Sequence, residues 1–294
     1  MTTQTPDAPA FPSGGFDALP PPAMARRAEE AGAAKAALAT DKIFILAVLA
    51  GAFIAMGAVF ATTVTAGSAD LAYGVVRLLG GLAFTLGLIL VVVAGAELFT
   101  GNNLVVMAWA DRRVATQRLL WTWLVVYVGN FVGAIATAAL VYASGQYKFG
   151  GGAVGEQALA IGIAKTSLGF GQAVVLGALC NALVCLAVWL TYSARTTTDR
   201  ILAVIPPIAA FVAAGFEHSV ANMYFIPEAL FIASNDGWLA GLTSAPDVSG
   251  LTWSAFFVDN LLPVTIGNII GGTVMVASLY WFVYLRPDRA HLRA

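Results

Sequence analysis

Gly215-Phe216-Glu217-His218-Ser219-Val220-Ala221-Asn222 lies inside an apolar run from about Ile201 to Ile232. Adjacent ionisable residues in a membrane-length segment are costly and point to function. The other histidine of the chain, His291, sits in the C-terminal tail. A similar stretch occurs earlier, Gly95-Ala96-Glu97-Leu98-Phe99-Thr100-Gly101-Asn102. Both read G-x-E-x-x-x-x-N. Each interrupts a run too long for one simple crossing, since about 20 residues span a bilayer. The pattern predicts two broken helices, because non-helical backbone at membrane depth is tolerated only where it is buried in protein or lines a cavity.

Working outward, the rest of the chain supports a polytopic α-helical membrane protein. It is 59% hydrophobic and 11% charged, against about 25% charged in soluble domains. The apolar runs are long and continuous, unlike the short alternating segments of a β-barrel. Six spans are expected: about 43–66, 73–110 with its break, 119–144, 172–193, 201–232 with its break, and 261–285. Loops are expected at 145–171 and 233–259. A Pro-, Gly- and Ala-rich tail covers residues 1–22 and carries no signal-peptide-like apolar core. Residues 23–40 read as an amphipathic helix, at the membrane surface, packed under the body, or solvated as a leader helix. Residues 41–286 are expected to form one membrane domain and 287–294 a basic tail. Twelve of the fifteen lysines and arginines fall on the side of both termini, leaving Arg77, Lys148 and Lys165 opposite. That bias places both termini in the cytoplasm.

Spans 1–3 and 4–6 are alike in order. The second element of each is broken at G-x-E-x-x-x-x-N, and the third carries G-N-x-x-G, at Gly129-Asn130 with Gly133 and at Gly267-Asn268 with Gly271. Three spans per half force opposite orientations. Such inverted repeats place a binding or permeation site at their interface.

The chemistry on offer is that of a pore. There is no phosphate-binding glycine loop, dinucleotide fingerprint or H-E-x-x-H motif. Cys180 and Cys185 are expected as free buried thiols, and no metal, cofactor or nucleic-acid partner is expected. A small anion losing its water needs donors in exchange. The candidates are the Thr100 hydroxyl, the Asn102, Asn181 and Asn222 amides, and His218, which could also give a proton to a weak-acid anion. Glu97 and Glu217 are expected to accept hydrogen bonds from loop N–H groups and shape the breaks. Phe84, Leu88, Leu98, Phe99 and Phe211 offer hydrophobic constrictions. Lys165 could concentrate anions at an outer mouth or be a solvated loop lysine.

With these motifs in view the chain resembles the formate/nitrite transporter family, and most closely its formate channels. The carrying residues are Ala94–Gly101, Gly215–Met223, Asn260–Gly272 and Tyr280–Arg286, within a resemblance that covers about residues 20–287. It implies a homopentamer in the bacterial inner membrane, with one aquaporin-like pore per protomer. It matches His218 to the family's central histidine, Thr100 to its loop threonine, and Lys165 and Asn181 to its vestibule lysine and pore asparagine. Phe84 and Phe211 match the outer slit, with Leu88, Leu98, Phe99 and Val184 at the inner one, and residues 23–39 a helix implicated in gating. Substrate preference stays open among formate, nitrite and hydrosulfide, as does proton coupling. A membrane-anchor subunit of a respiratory formate enzyme is the reading from another class.

Overall fold

The computed structural model describes residues 18–242 and 245–286, in which all regular structure is helical. The expected C-terminal tail and most of the N-terminal one lie outside these residues. Six helices are long and apolar enough to cross a membrane, as expected. In chain order the helices are α1 (Pro21–Ala37), α2 (Thr40–Thr65), α3 (Tyr73–Leu90), α4 (Val106–Ala110), α5 (Thr116–Ala143), α6 (Ala153–Thr166), α7 (Phe170–Ser193), α8 (Thr197–Ala214), α9 (Ser219–Ala233), α10 (Asp236–Leu239), α11 (Leu262–Ile269) and α12 (Leu279–Tyr284). A wider turn, Val91–Gly95, prolongs α3, and similar turns join α11 and α12 into one crossing over Ala255–Tyr284. Large apolar side chains such as Leu140, Val175 and Leu202 point outward, as a lipid or subunit environment requires.

The two halves pack by the same device. Gly129 and Gly133 of α5 lie against the α2 backbone, and Gly267 of α11 and Gly271 of the turn after it lie against α7. A Cβ on Gly133 would collide with the Val48 carbonyl, and one on Gly271 with that of Ala178. Without hydrophobic driving force in lipid, such close backbone approach supplies the association energy.

Three boundaries differ from the sequence reading. The segment expected as a loop over 145–171 is largely helix α6. Its glycines suggested a loop but serve packing: Gly155 faces the Trp238 ring and Gly162 the Ala229 methyl. The real turn is the triplet Gly150, Gly151 and Gly152, all with left-handed φ of 63°, 67° and 99°, which glycine adopts without steric cost. Within the second expected loop, α10 starts under an Asn235 cap whose side chain accepts the Trp238 N–H, and the last crossing begins at Ala255 rather than at 261. Helix α1 begins at Pro21, in the first-turn position that suits proline. Of the three placements open for α1, the structure shows it packed under the body, where Arg118 of α5 donates to the Ala36 and Leu38 carbonyls at its end. Helix α6 occupies the equivalent place before α7, so each half of the repeat begins with a helix ahead of its first span.

Candidate functional site: two helix breaks facing each other

Each break is built the same way. Gly95 (φ 84°) and Gly215 (φ 79°) turn the chain left-handed at the end of the preceding helix, the usual glycine stop. The next N–H then returns five residues, from Ala96 to the Val91 carbonyl and from Phe216 to the Phe211 carbonyl, both 3.0 Å. The following glutamate N–H reaches the neighbouring helix, Glu97 to the Leu46 carbonyl at 3.2 Å and Glu217 to the Leu176 carbonyl at 3.3 Å.

The asparagine of each G-N-x-x-G then splints the link. Asn130 Nδ2 donates to the Ala47 and Glu97 carbonyls at 2.7 and 2.9 Å, while its Oδ1 accepts the Phe99 N–H at 2.9 Å. Asn268 Nδ2 donates to the Gly177 and Glu217 carbonyls at 2.8 and 2.9 Å, and its Oδ1 accepts the Ser219 N–H at 2.9 Å. A buried break needs these partners, because each orphaned backbone group in an apolar interior costs about 1–3 kcal/mol. The sequence marked both motifs but not this duty.

The glutamates are held differently from the expectation. Their carboxylates meet side chains, not loop N–H groups. Asn102 Nδ2 donates to Glu97 Oε2 at 2.7 Å, and Lys35 Nζ of α1 lies 3.0 Å from the same oxygen. Asn222 Nδ2 donates to Glu217 Oε2 at 2.7 Å, and Lys165 Nζ of α6 lies 2.9 Å from Oε1. The role of Lys35 was missed, as was Asn260, whose Oδ1 accepts from Asn222 and whose Nδ2 donates to the Lys165 carbonyl. The repeat itself held the signal for Lys35: each lysine stands five residues before the first span of its half, at Thr40 and at Phe170.

Between the breaks, Thr100 Oγ1 of one half and His218 Nε2 of the other lie 2.9 Å apart, and both residues are buried. His218 caps α9 through Nδ1, which accepts the Ala221 N–H at 3.1 Å. In the neutral ring this leaves the proton on Nε2, which donates to Thr100 Oγ1. The threonine hydroxyl hydrogen is then available to another acceptor. Asn181 lies at the same junction but is fully engaged: its Nδ2 reaches the Thr100 carbonyl at 3.3 Å, Asn103 Oδ1 at 2.9 Å and the Asn268 carbonyl at 2.6 Å. The amides of Asn102, Asn181 and Asn222 are thus committed to protein partners and not left pointing into open space. Of the two buried thiols, Cys185 Sγ donates to the Thr100 carbonyl at 3.4 Å.

Apolar residues flank this pair. On one side the Phe84 and Phe211 rings meet edge-on at 5.7 Å, and Phe211 stacks over His218 at 5.9 Å. Phe225, missed in the sequence, stacks on Phe84 at 6.3 Å and lies under Lys165 Nζ at 5.5 Å. On the α1 side, Leu88 and Leu98 line a cavity of about 450 Å³. Leu88 stands one turn after Phe84 on the same face of α3. Phe99 instead packs edge-on against Tyr127 at 4.9 Å and Trp123 at 6.1 Å. Val184 is buried without lining the cavity.

Comparison with known proteins agrees with this geometry. The family model described as formate/nitrite transporter matches residues 22–282. The chain is 46% identical over 279 residues to the formate channel FocA of Escherichia coli (strain K12), covering 94% of this chain and 98% of that one. Its identity to formate channel FocA of Haemophilus influenzae is 42% over 236 residues, covering 79% and 83% of the two chains. A solved structure described as a pentameric formate channel with formate bound superposes with a TM-score of 0.78 at 44% identity, covering 84% of this chain and 98% of that one. By its two matched breaks, its paired spans and this coverage, the chain belongs to the formate/nitrite transporter family.

Proposed function

We propose that this protein is a channel for formate and related small monovalent anions in the bacterial inner membrane, assembled as a homopentamer with both termini in the cytoplasm. The observation that carries the reading is the Thr100–His218 pair, contributed by opposite halves of the repeat and flanked by apolar residues on both sides. The names and pentameric state of the relatives support the substrate and the assembly. The charge bias of the sequence supports the orientation.

The chemistry follows from the proton positions. An anion beside Thr100 receives its hydroxyl hydrogen, while His218 Nε2–H holds the threonine oxygen from behind. Protonating His218 at Nδ1 would break its bond from the Ala221 N–H, so a second proton on the ring opposes the α9 cap. An arriving anion offsets that cost, because opposite charge favours the protonated ring. The pair therefore couples anion occupancy to histidine protonation, the basis for passing a proton with a weak-acid anion.

Flux into proteoliposomes tests the reading, with formate, nitrite and hydrosulfide compared across pH at clamped potential. Formate flux that rises and acidifies the lumen as pH falls is the expected result. Nitrite or hydrosulfide far ahead of formate would displace the substrate. Current without proton movement would remove the coupling, and absence of flux would overturn the channel.

A further inference from the structure

The cavity on the α1 side carries charge that the central site does not use. Its apolar lining includes Leu88 and Leu98, and its charged lining residues are Arg27, Lys35, Glu97 and Arg200. Lys35 and Glu97 neutralise each other at 3.0 Å. Arg27 has one long bond, 3.4 Å from Nη1 to the Tyr192 carbonyl. Among the described residues, neither Arg27 nor Arg200 has a carboxylate within ion-pair distance. The nearby acids are spoken for: Asp199 Oδ2 accepts the Arg195 and Thr196 N–H groups in the α8 cap, and Glu29 pairs with Arg113 at 3.0 Å. Glu30, three residues after Arg27, does not line the cavity.

The inverted repeat supplies an internal comparison. Arg77 and Arg200 both lie in the opening turns of the helix that runs into a break, 18 residues before Gly95 and 15 before Gly215. Arg77 has a structural duty: it donates to the Val212 and Ala213 carbonyls at the end of α8. A Cβ on Gly215 would lie 3.2 Å from Arg77 Nη2, whereas one on Gly95 would meet nothing within 4 Å. Among the described residues Arg200 makes no such side-chain bond to the end of α3, unlike Arg77 at the end of α8. The Arg200 charge lines the cavity together with that of Arg27.

Resting on the channel reading above, we infer that Arg27 and Arg200 form a capture site for the transported anion ahead of the Leu88–Leu98 constriction. Uncompensated charges in a cleft with low-dielectric walls focus the field and raise local counter-ion concentration. Held by charges on the wall of an open cavity rather than enclosed, the anion is concentrated without being trapped, as conduction requires.

The test measures formate flux through the full chain in proteoliposomes of fixed protein orientation, with formate supplied to one face at a time. The apparent KM is read for the unaltered protein and for R27A/R200A, at about 10 mM and about 1 M of an impermeant salt, where the Debye length falls from about 30 to about 3 Å. At low salt the KM at the α1 face rises roughly tenfold in the variant, the gap closes at high salt, and the KM at the opposite face serves as the reference. Arg27→Lys with Arg200→Lys restores most of the loss, because charge matters more than shape. An unchanged α1-face KM at low salt would overturn the capture site. So would a rise that is equal at both faces or persists at high salt, which marks a structural defect. No formate flux in the unaltered protein would overturn the channel reading itself, and the capture site with it.

Discussion

Glu217 and Lys165, 52 residues apart in the chain, meet at 2.9 Å between Oε1 and Nζ. Glu97 and Lys35 make the same contact in the other half, 62 residues apart and at 3.0 Å. Each pair pins a helix break to the helix that precedes the first span of its half. The two pairs differ in solvent access: the lysine side chains are 15% and 33% exposed, respectively.

That difference sets the first prediction. Lys165→Met leaves the buried Glu217 carboxylate without its cation, at a cost of about 3–5 kcal/mol. Lys35→Met costs less, because a pair one-third open to water is partly screened. Thermal unfolding of the detergent-solubilised protein checks the order. Adding Glu217→Gln to Lys165→Met recovers much of the loss, since the amide oxygen still accepts from Asn222. Equal destabilisation by the two lysine changes would contradict the argument from burial.

At the central pair, Thr100→Val removes the hydroxyl while keeping the volume nearly constant. A hydrogen bond to a charged group is worth about 1.5–3 kcal/mol, so formate flux falls roughly tenfold or more, while Thr100→Ser retains most of it. Initial rates in proteoliposomes decide between them.

His218→Phe keeps a ring stacked under Phe211 but loses both nitrogens. The expected outcome is loss of the rise in formate flux at low pH, measured as the ratio of rates at two pH values. Formate flux at low pH equal to that of the unaltered protein would remove His218 from the mechanism.

The glycine stops are a local test of the breaks. Gly95→Ala and Gly215→Ala each force a Cβ into left-handed backbone, costing about 1–2 kcal/mol. Gly215→Ala is the worse of the two, because its Cβ also crowds Arg77 while that of Gly95 meets open space. Gly171→Ala, which has no neighbour within 4 Å and ordinary φ, is neutral or slightly stabilising by comparison. Ranking the three by unfolding temperature checks this.

Asn130→Asp and Asn268→Asp keep shape but replace the donating amide with an acceptor facing two backbone carbonyls. Each loses two hydrogen bonds in a buried site, at about 1–3 kcal/mol per group left unsatisfied. The expected result is a large drop in folded yield after solubilisation, seen by size-exclusion chromatography.

Much of this protein was legible in its residues because its signals are local. Six apolar runs, two glycine stops followed by glutamate, and two G-N-x-x-G segments mark spans, breaks and close helix contacts wherever the chain carries them. Thr100 and His218 stood out for the same reason, as polar groups in membrane-length apolar sequence. Helix α6 was hidden because glycines that serve helix contact look like glycines that serve turns until the facing Trp238 and Ala229 are known. The destinations of the polar side chains were also hidden. Asn102, Asn181 and Asn222 looked like donors to an anion, yet buried amides satisfy the nearest protein acceptor, and only packing shows which acceptor that is. Sequence by itself determined the crossings, the repeat and the residue types at each break, since these follow from the cost of placing polar backbone in lipid. Tertiary structure alone decided that Lys35 and Lys165 hold the two glutamates, that Thr100 meets His218, and that Arg77 is docked while Arg200 is not. Those pairings depend on distances between segments tens of residues apart, which no local pattern encodes.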